Sequence, residues 1–145
     1  MAQPLPQSKT KARITAISPH FVVPDVVAAA RHYRDALGFE ILGYFGEPPT
    51  FATVRRDAAE IQFSKADAGA EPTPNAKRQA LALDAYIWID DADALSSELK
   101  ARGAKILEGP VRRVYNVVEI VVEDCCGYRL VFAADCTPRQ GGPKP

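Results

Sequence analysis

Few side chains in this sequence have the chemistry to grip or transform a small molecule, and their spacing groups them. His20 lies in the apolar run Ile14–Val23, two residues from Ser18, so the two share one side of an extended strand. An imidazole there could ligate a metal, move a proton near neutral pH, or hydrogen-bond to a ligand or neighbour. Glu119 is a lone charge inside Val117–Val122. A carboxylate buried alone is costly, so Glu119 is expected to be paired or functional, with Arg129 or an arginine across the sheet as its structural partner. Asp84, Tyr86 and Trp88 alternate along one segment, which puts a carboxylate and two aromatic rings on a single face. Such a face suits stacking on a flat or cationic molecule. The three cysteines are Cys125, Cys126 and Cys136. An odd count with two adjacent is no disulfide framework. Cys125 and Cys126 read as turn residues before Gly127, with no adjacent cation to activate a thiol. Free thiols point to a cytoplasmic protein.

Other catalytic patterns are missing. The sequence has no G-x-S-x-G elbow, no phosphate loop and no G-x-G-x-x-G. Asp25, Asp91 and Asp93 read as helix-capping acids. The 145 residues include 18 basic and 18 acidic side chains, so the formal net charge is zero. No electrostatic footprint for nucleic acid or an anionic membrane follows from that balance. The pairs Arg55–Arg56 and Arg112–Arg113 read as solvated strand ends or turns. No apolar stretch is long enough to span a bilayer. Met1–Arg13 is polar, carries Pro4 and Pro6, and does not read as a signal peptide. Apolar residues at 47% suffice for a real core.

The elements that must position these residues come in two similar sets. A strand at Ile14–Val23, with Pro19 arguing for an edge or bulge, is followed by an Asp25 cap. A helix follows, with Val26, Ala30, Tyr33 and Leu37 on one face and a stop at Gly38. His32 falls off that face and is expected to be exposed. Strands are expected near 39–45, 51–55 and 60–64. The second set has a strand at 83–89, an Asp90–Asp91 cap, a helix with Ala92, Leu95 and Leu99, and a stop at Gly103. Strands near 105–107, 114–123 and 128–134 complete it. The organisation expected is a flexible tail at 1–13, a βαβββ module at 14–64, a linker at 65–80, a second module at 81–135 and a flexible tail at 136–145.

These segments also carry a resemblance. Val22-Val23-Pro24-Asp25 with Arg31-His32-Tyr33-Arg34-Asp35-Ala36-Leu37-Gly38-Phe39, then Ile87-Trp88-Ile89-Asp90-Asp91-Ala92-Asp93-Ala94-Leu95, then Glu123-Asp124-Cys125-Cys126-Gly127-Tyr128-Arg129-Leu130-Val131-Phe132 resemble, in order, the motifs of the vicinal oxygen chelate superfamily. Glyoxalase I, bleomycin-resistance proteins and extradiol dioxygenases belong to that group. The resemblance implies an α+β fold of two βαβββ modules, a curved mixed sheet with helices on its outer face and a cleft on its inner face, and a homodimer. It places the usual metal-ligand positions at Ser18, Gln62, Asp84 and Val131. Ser18 is a poor ligand and Val131 is none, so the standard centre is not expected and no cofactor is assigned.

Two functional readings follow. The first is a binding protein similar to the bleomycin-resistance branch. It would take a small aromatic or cationic molecule through His20, Gln62, Asp84, Tyr86, Trp88, Glu119 and Tyr115, with Tyr44, Phe45 and Phe51 as a lid. The second is a lyase, isomerase or dioxygenase. It would use a displaced metal site at His20, Glu60, Asp84 and Glu119, or His20 and Glu119 as acid and base. A divergent domain without a ligand is a third. Fold alone does not choose among them.

Overall fold

In the computed structural model, residues 3–4 and 10–138 are described. Most of the expected flexible tails, 1–13 and 136–145, therefore lies outside the described residues. Strand β1 (His20–Val23) leads to helix α1 (Val26–Leu37) and strands β2 (Glu40–Phe45), β3 (Phe51–Arg56) and β4 (Ala59–Lys65). After a single 3-10 turn at Asn75–Lys77 come β5 (Ala85–Ile89), α2 (Ala92–Arg102), β6 (Lys105–Arg112), β7 (Val117–Glu123) and β8 (Arg129–Asp135). The architecture is α+β, two βαβββ modules. Their strands form two four-stranded mixed sheets, ordered β1-β4-β3-β2 and β5-β8-β7-β6, with β1–β4 and β5–β8 parallel.

Both helices begin and end as their sequences dictate. Asp25 Oδ1 accepts from the amides of Val27 and Ala28 at 3.0 Å each, and Asp91 Oδ1 accepts from Ala94 N at 3.0 Å. Gly38 ends α1 in the left-handed region at φ 73°. A side chain there would also meet Arg56 and Glu98, each 2.7 Å from where a Cβ would lie. Each sheet buries one face under its own helix and leaves the other open. In β1, Phe21 and Val23 are buried while His20 and Val22 are exposed, the alternation expected of a half-covered strand.

The first strand is shorter than its apolar run suggests. Ile14 and Ile17 are almost fully exposed, and the strand starts only after Pro19. Proline cannot donate to a ladder, and β1 is a sheet edge, so nothing holds residues 14–18 in a sheet. His32 departs from expectation too. It is half-buried, with Nε2 shielded from solvent and without a hydrogen-bond partner.

One hydrophobic core runs through both modules. Phe21 stacks on Tyr128 of the second module, with ring centres 4.5 Å apart and planes 8° apart. The Tyr128 hydroxyl donates to the Val22 carbonyl at 2.6 Å. Tyr33, fully buried on α1, donates its hydroxyl to Asp124 Oδ2 at 2.6 Å, in the turn between β7 and β8. One turn further along, at the C-terminus of α1, Arg56 grips Glu98 of α2 through two bonds of 2.8 and 2.7 Å and caps the Leu37 carbonyl at 2.9 Å.

A buried hydrogen bond to a carboxylate contributes about 1.5–3 kcal/mol. Tyr33→Phe keeps the ring and removes that bond, so denaturant unfolding should show a loss within that range. An unchanged midpoint and slope would show that the contact between modules contributes nothing to stability.

Candidate functional site

The open face of the second sheet carries a closed polar network around Glu119. Its side chain is only 5% exposed. Oε2 accepts from the Tyr86 hydroxyl at 2.6 Å and the Tyr115 hydroxyl at 3.0 Å, and Oε1 accepts from Arg113 Nε at 2.8 Å. Arg113 is held in turn by Glu108, at 2.7 and 3.3 Å. Glu119 is thus paired as expected, but by Arg113 and not Arg129, which donates to the Ala80 carbonyl at 2.6 Å. Burial pushes the Glu119 carboxyl up, and the bonds from Tyr86, Arg113 and Tyr115 outweigh it, leaving the group below its ordinary value. Burial first, then the same carboxylate, pushes the Tyr86 phenol up, so it stays a neutral donor.

This geometry depends on an irregular β6. Its pairing with β7 shifts between Glu108 and Val111, where Gly109 sits at φ 102° with a Cβ position pressed against the Glu119 carbonyl. Only glycine passes there, and around the bulge Glu108 and Glu119 share one guanidinium, that of Arg113. Tyr115 lies in the turn after β6, not at the start of β7 as expected from its sequence.

Beside this network stand two aromatic rings with little cover. Tyr86 and Trp88 meet edge to face, with centres 5.3 Å apart and planes at 66°. Trp88 is 64% exposed. With Asp84, Glu60 and Ser18 they line a cavity of about 540 Å³ whose remaining walls are mostly apolar. The Asp84 carboxylate is committed to backbone, accepting from Asn75 N at 2.9 Å and Arg129 N at 2.8 Å.

The first module contributes a separate patch. His20 Nδ1 lies 3.1 Å from Gln62 Oε1, and Nε2 lies 2.6 Å from Ser64 Oγ. The neutral tautomer with Nδ1 protonated satisfies both, donating to Gln62 and accepting from Ser64. Phe51 packs 6.0 Å from the imidazole, while Tyr44 and Phe45 are exposed. The seven residues expected to bind ligand are therefore divided. His20 and Gln62 form one patch, Glu119, Tyr86 and Tyr115 another, and Asp84, Tyr86 and Trp88 border the cavity. Ser64 was not foreseen, and Arg113 was foreseen only as an unnamed arginine across the sheet.

The displaced metal site does not assemble. Among the described residues, the one group of three or more His, Cys, Asp or Glu donors within metal-binding reach is Asp124, Cys125 and Cys126. His20, Glu60, Asp84 and Glu119 do not converge. Of the usual ligand positions, Gln62 bonds to His20 and Val131 is buried in β8 opposite Tyr86.

The model of the glyoxalase/bleomycin resistance protein/dioxygenase superfamily matches residues 13–132. The chain belongs to this superfamily. No curated protein matches it. Among solved structures, a superfamily member from Nocardioides shares 18% identity at a TM-score of 0.65, over 94% of this chain and 93% of that one. The bleomycin-binding protein from bleomycin-producing Streptomyces verticillus, complexed with copper(II)-bleomycin, shares 24% at 0.61, over 86% and 98%. An antibiotic-binding protein from Streptomyces sp. CB03234 shares 19% at 0.65, over 86% and 98%. At these identities the likeness is one of fold, and the superfamily places the open sheet faces, not the chemistry on them.

The folded Glu119 carboxyl lies below its unfolded value, so its stabilisation is present above the unfolded carboxyl range and is lost as pH falls through the folded value. Glu119→Gln should therefore cost about 1–2 kcal/mol at neutral pH, with the gap to the parent protein narrowing below about pH 4. Denaturant midpoints measured across that range check it; a gap that widens on acidification would contradict the assignment.

Proposed function

We propose that this superfamily member binds a small, flat, aromatic or cationic molecule on the Tyr86–Trp88 platform and needs no metal to do so. The observation that carries this reading is the exposed edge-to-face pair at the mouth of a cavity of about 540 Å³, a size that suits a drug-sized ligand. Trp88 supplies a π face, and a cation over it is attracted by the ring quadrupole. Asp84 and Glu60 place negative charge on the cavity wall, which favours a cation further. Glu119 holds the Tyr86 hydroxyl, so the platform is ordered before ligand arrives. His20, Gln62 and Ser64 form a separate polar patch on the first module, outside the lining of this cavity. The named ligands of two structural neighbours, bleomycin and an antibiotic, are consistent with this class of cargo.

A homodimer belongs to the same reading. Trp88, Tyr115 and Phe45 are more than half exposed, and Leu42, Val22 and Tyr44 nearly so. A second copy covering part of these faces would also narrow the cleft.

Trp88 is the single tryptophan, so its emission reports on the platform directly. Titration with a panel of planar cationic antibiotics should give saturable quenching that survives a chelator. Tyr86→Ala, with the reporter intact, should weaken it by about tenfold, as expected for loss of an aromatic anchor. Absence of saturation with every compound, or binding abolished by chelation, would sink the proposal. Sedimentation should give a dimer, and a monomer at all concentrations would remove the dimeric part.

A further inference from the structure

The turn between β7 and β8 holds chemistry that the cleft does not use. Cys125 and Cys126 place their sulfurs 3.9 Å apart, one exposed and one half-buried, and both are free thiols. The turn is rigidly built. Asp124 Oδ1 accepts from Cys126 N at 2.8 Å and Tyr128 N at 3.0 Å, while Asp124 N donates to the Tyr128 carbonyl at 2.8 Å. Oδ2 takes the Tyr33 hydroxyl. The carboxylate and the two sulfurs lie within 4.8 Å of one another. His32, next to Tyr33 on α1, keeps an Nε2 that is shielded from solvent and has no hydrogen-bond partner.

The spacing selects the ligand. A tetrahedral d10 cation with metal–sulfur bonds near 2.3 Å holds two thiolates about 3.8 Å apart. The sulfurs stand at that spacing already. A disulfide would need them about 2 Å closer, across residues whose Cα atoms are nearer than unstrained disulfides adopt. A hard cation such as Mg²⁺ prefers a shell of oxygens and finds two soft donors here.

From this geometry we infer that Asp124, Cys125 and Cys126 form a second site, distinct from the cleft, for a thiophilic divalent cation of the zinc group. The two thiolates are the principal ligands, the carboxylate edge lies within reach, and solvent completes the shell. Binding releases the thiol protons to solvent, so affinity rises with pH. Because Asp124 also holds Tyr33, the ion would sit against the seam between the modules.

Cadmium is the probe. Titrated into the reduced full-length protein, Cd²⁺ should produce a saturable ultraviolet thiolate-to-metal band at one equivalent, unaffected by excess Mg²⁺. Cys125→Ser and Cys126→Ser should each abolish it, and Cys136→Ser should leave it unchanged. No band at one equivalent, a band that follows Cys136, or displacement by Mg²⁺ would each overturn the site. None of these readouts involves Trp88, so failure here leaves the cleft reading standing, and failure of the cleft reading leaves this one.

Discussion

The Tyr33–Asp124 hydrogen bond organises more of this molecule than any other single contact. One end is a fully buried phenol on α1. The other is a carboxylate that also accepts two backbone amides of its own turn. Burial pushes the Asp124 carboxyl up despite those donors, so each donor matters in keeping the group satisfied. The same turn delivers Tyr128, whose ring stacks on Phe21 and whose hydroxyl reaches the Val22 carbonyl. One carboxylate therefore fixes α1 and β1 of the first module against the second. The Arg56–Glu98 pair makes a second connection, from the end of β3 to α2, so the modules are tied at two points.

Once the modules are fixed, the two open sheet faces are free to differ. On the first, His20, Gln62 and Ser64 satisfy one another within a single parallel pair of strands. On the second, a carboxylate that would be intolerable alone is surrounded by two phenols and a guanidinium. This network neutralises Glu119 and also pins one ring of the aromatic pair. Trp88 remains the less committed partner, with most of its surface left open by the described residues. Rigidity at Tyr86 and openness at Trp88 are complementary properties of a stacking platform.

What was readable from the sequence divides along physical lines. Helix caps, helix stops and strand alternation are local, and Asp25, Gly38, Asp91, Gly103 and the Tyr86–Trp88 face follow from a few neighbouring residues. Arg113 as the partner of Glu119 was not readable. It depends on a bulge at Gly109 whose requirement is the close approach of another strand's carbonyl. His32 was misjudged because helical periodicity sees one helix and not what packs around it. The run at 14–18 is apolar enough for a strand, yet pairing is a property of neighbours, and Pro19 closes the edge.

Three of the positions that the resemblance marks for metal ligands, Asp84, Gln62 and Val131, have other partners in this fold. Asp84 retains a carboxylate, but its oxygens hold the Asn75 and Arg129 amides and so anchor the segment entering β5. Gln62 retains an oxygen and gives it to His20. Val131 lies in β8 directly opposite Tyr86 and is buried. The side chains at these positions are engaged with backbone amides, with His20 or with the buried part of the sheet. On the proposed reading, recognition then rests on ring faces and cavity shape, which discriminate by fit and tolerate variation in a ligand's polar decoration.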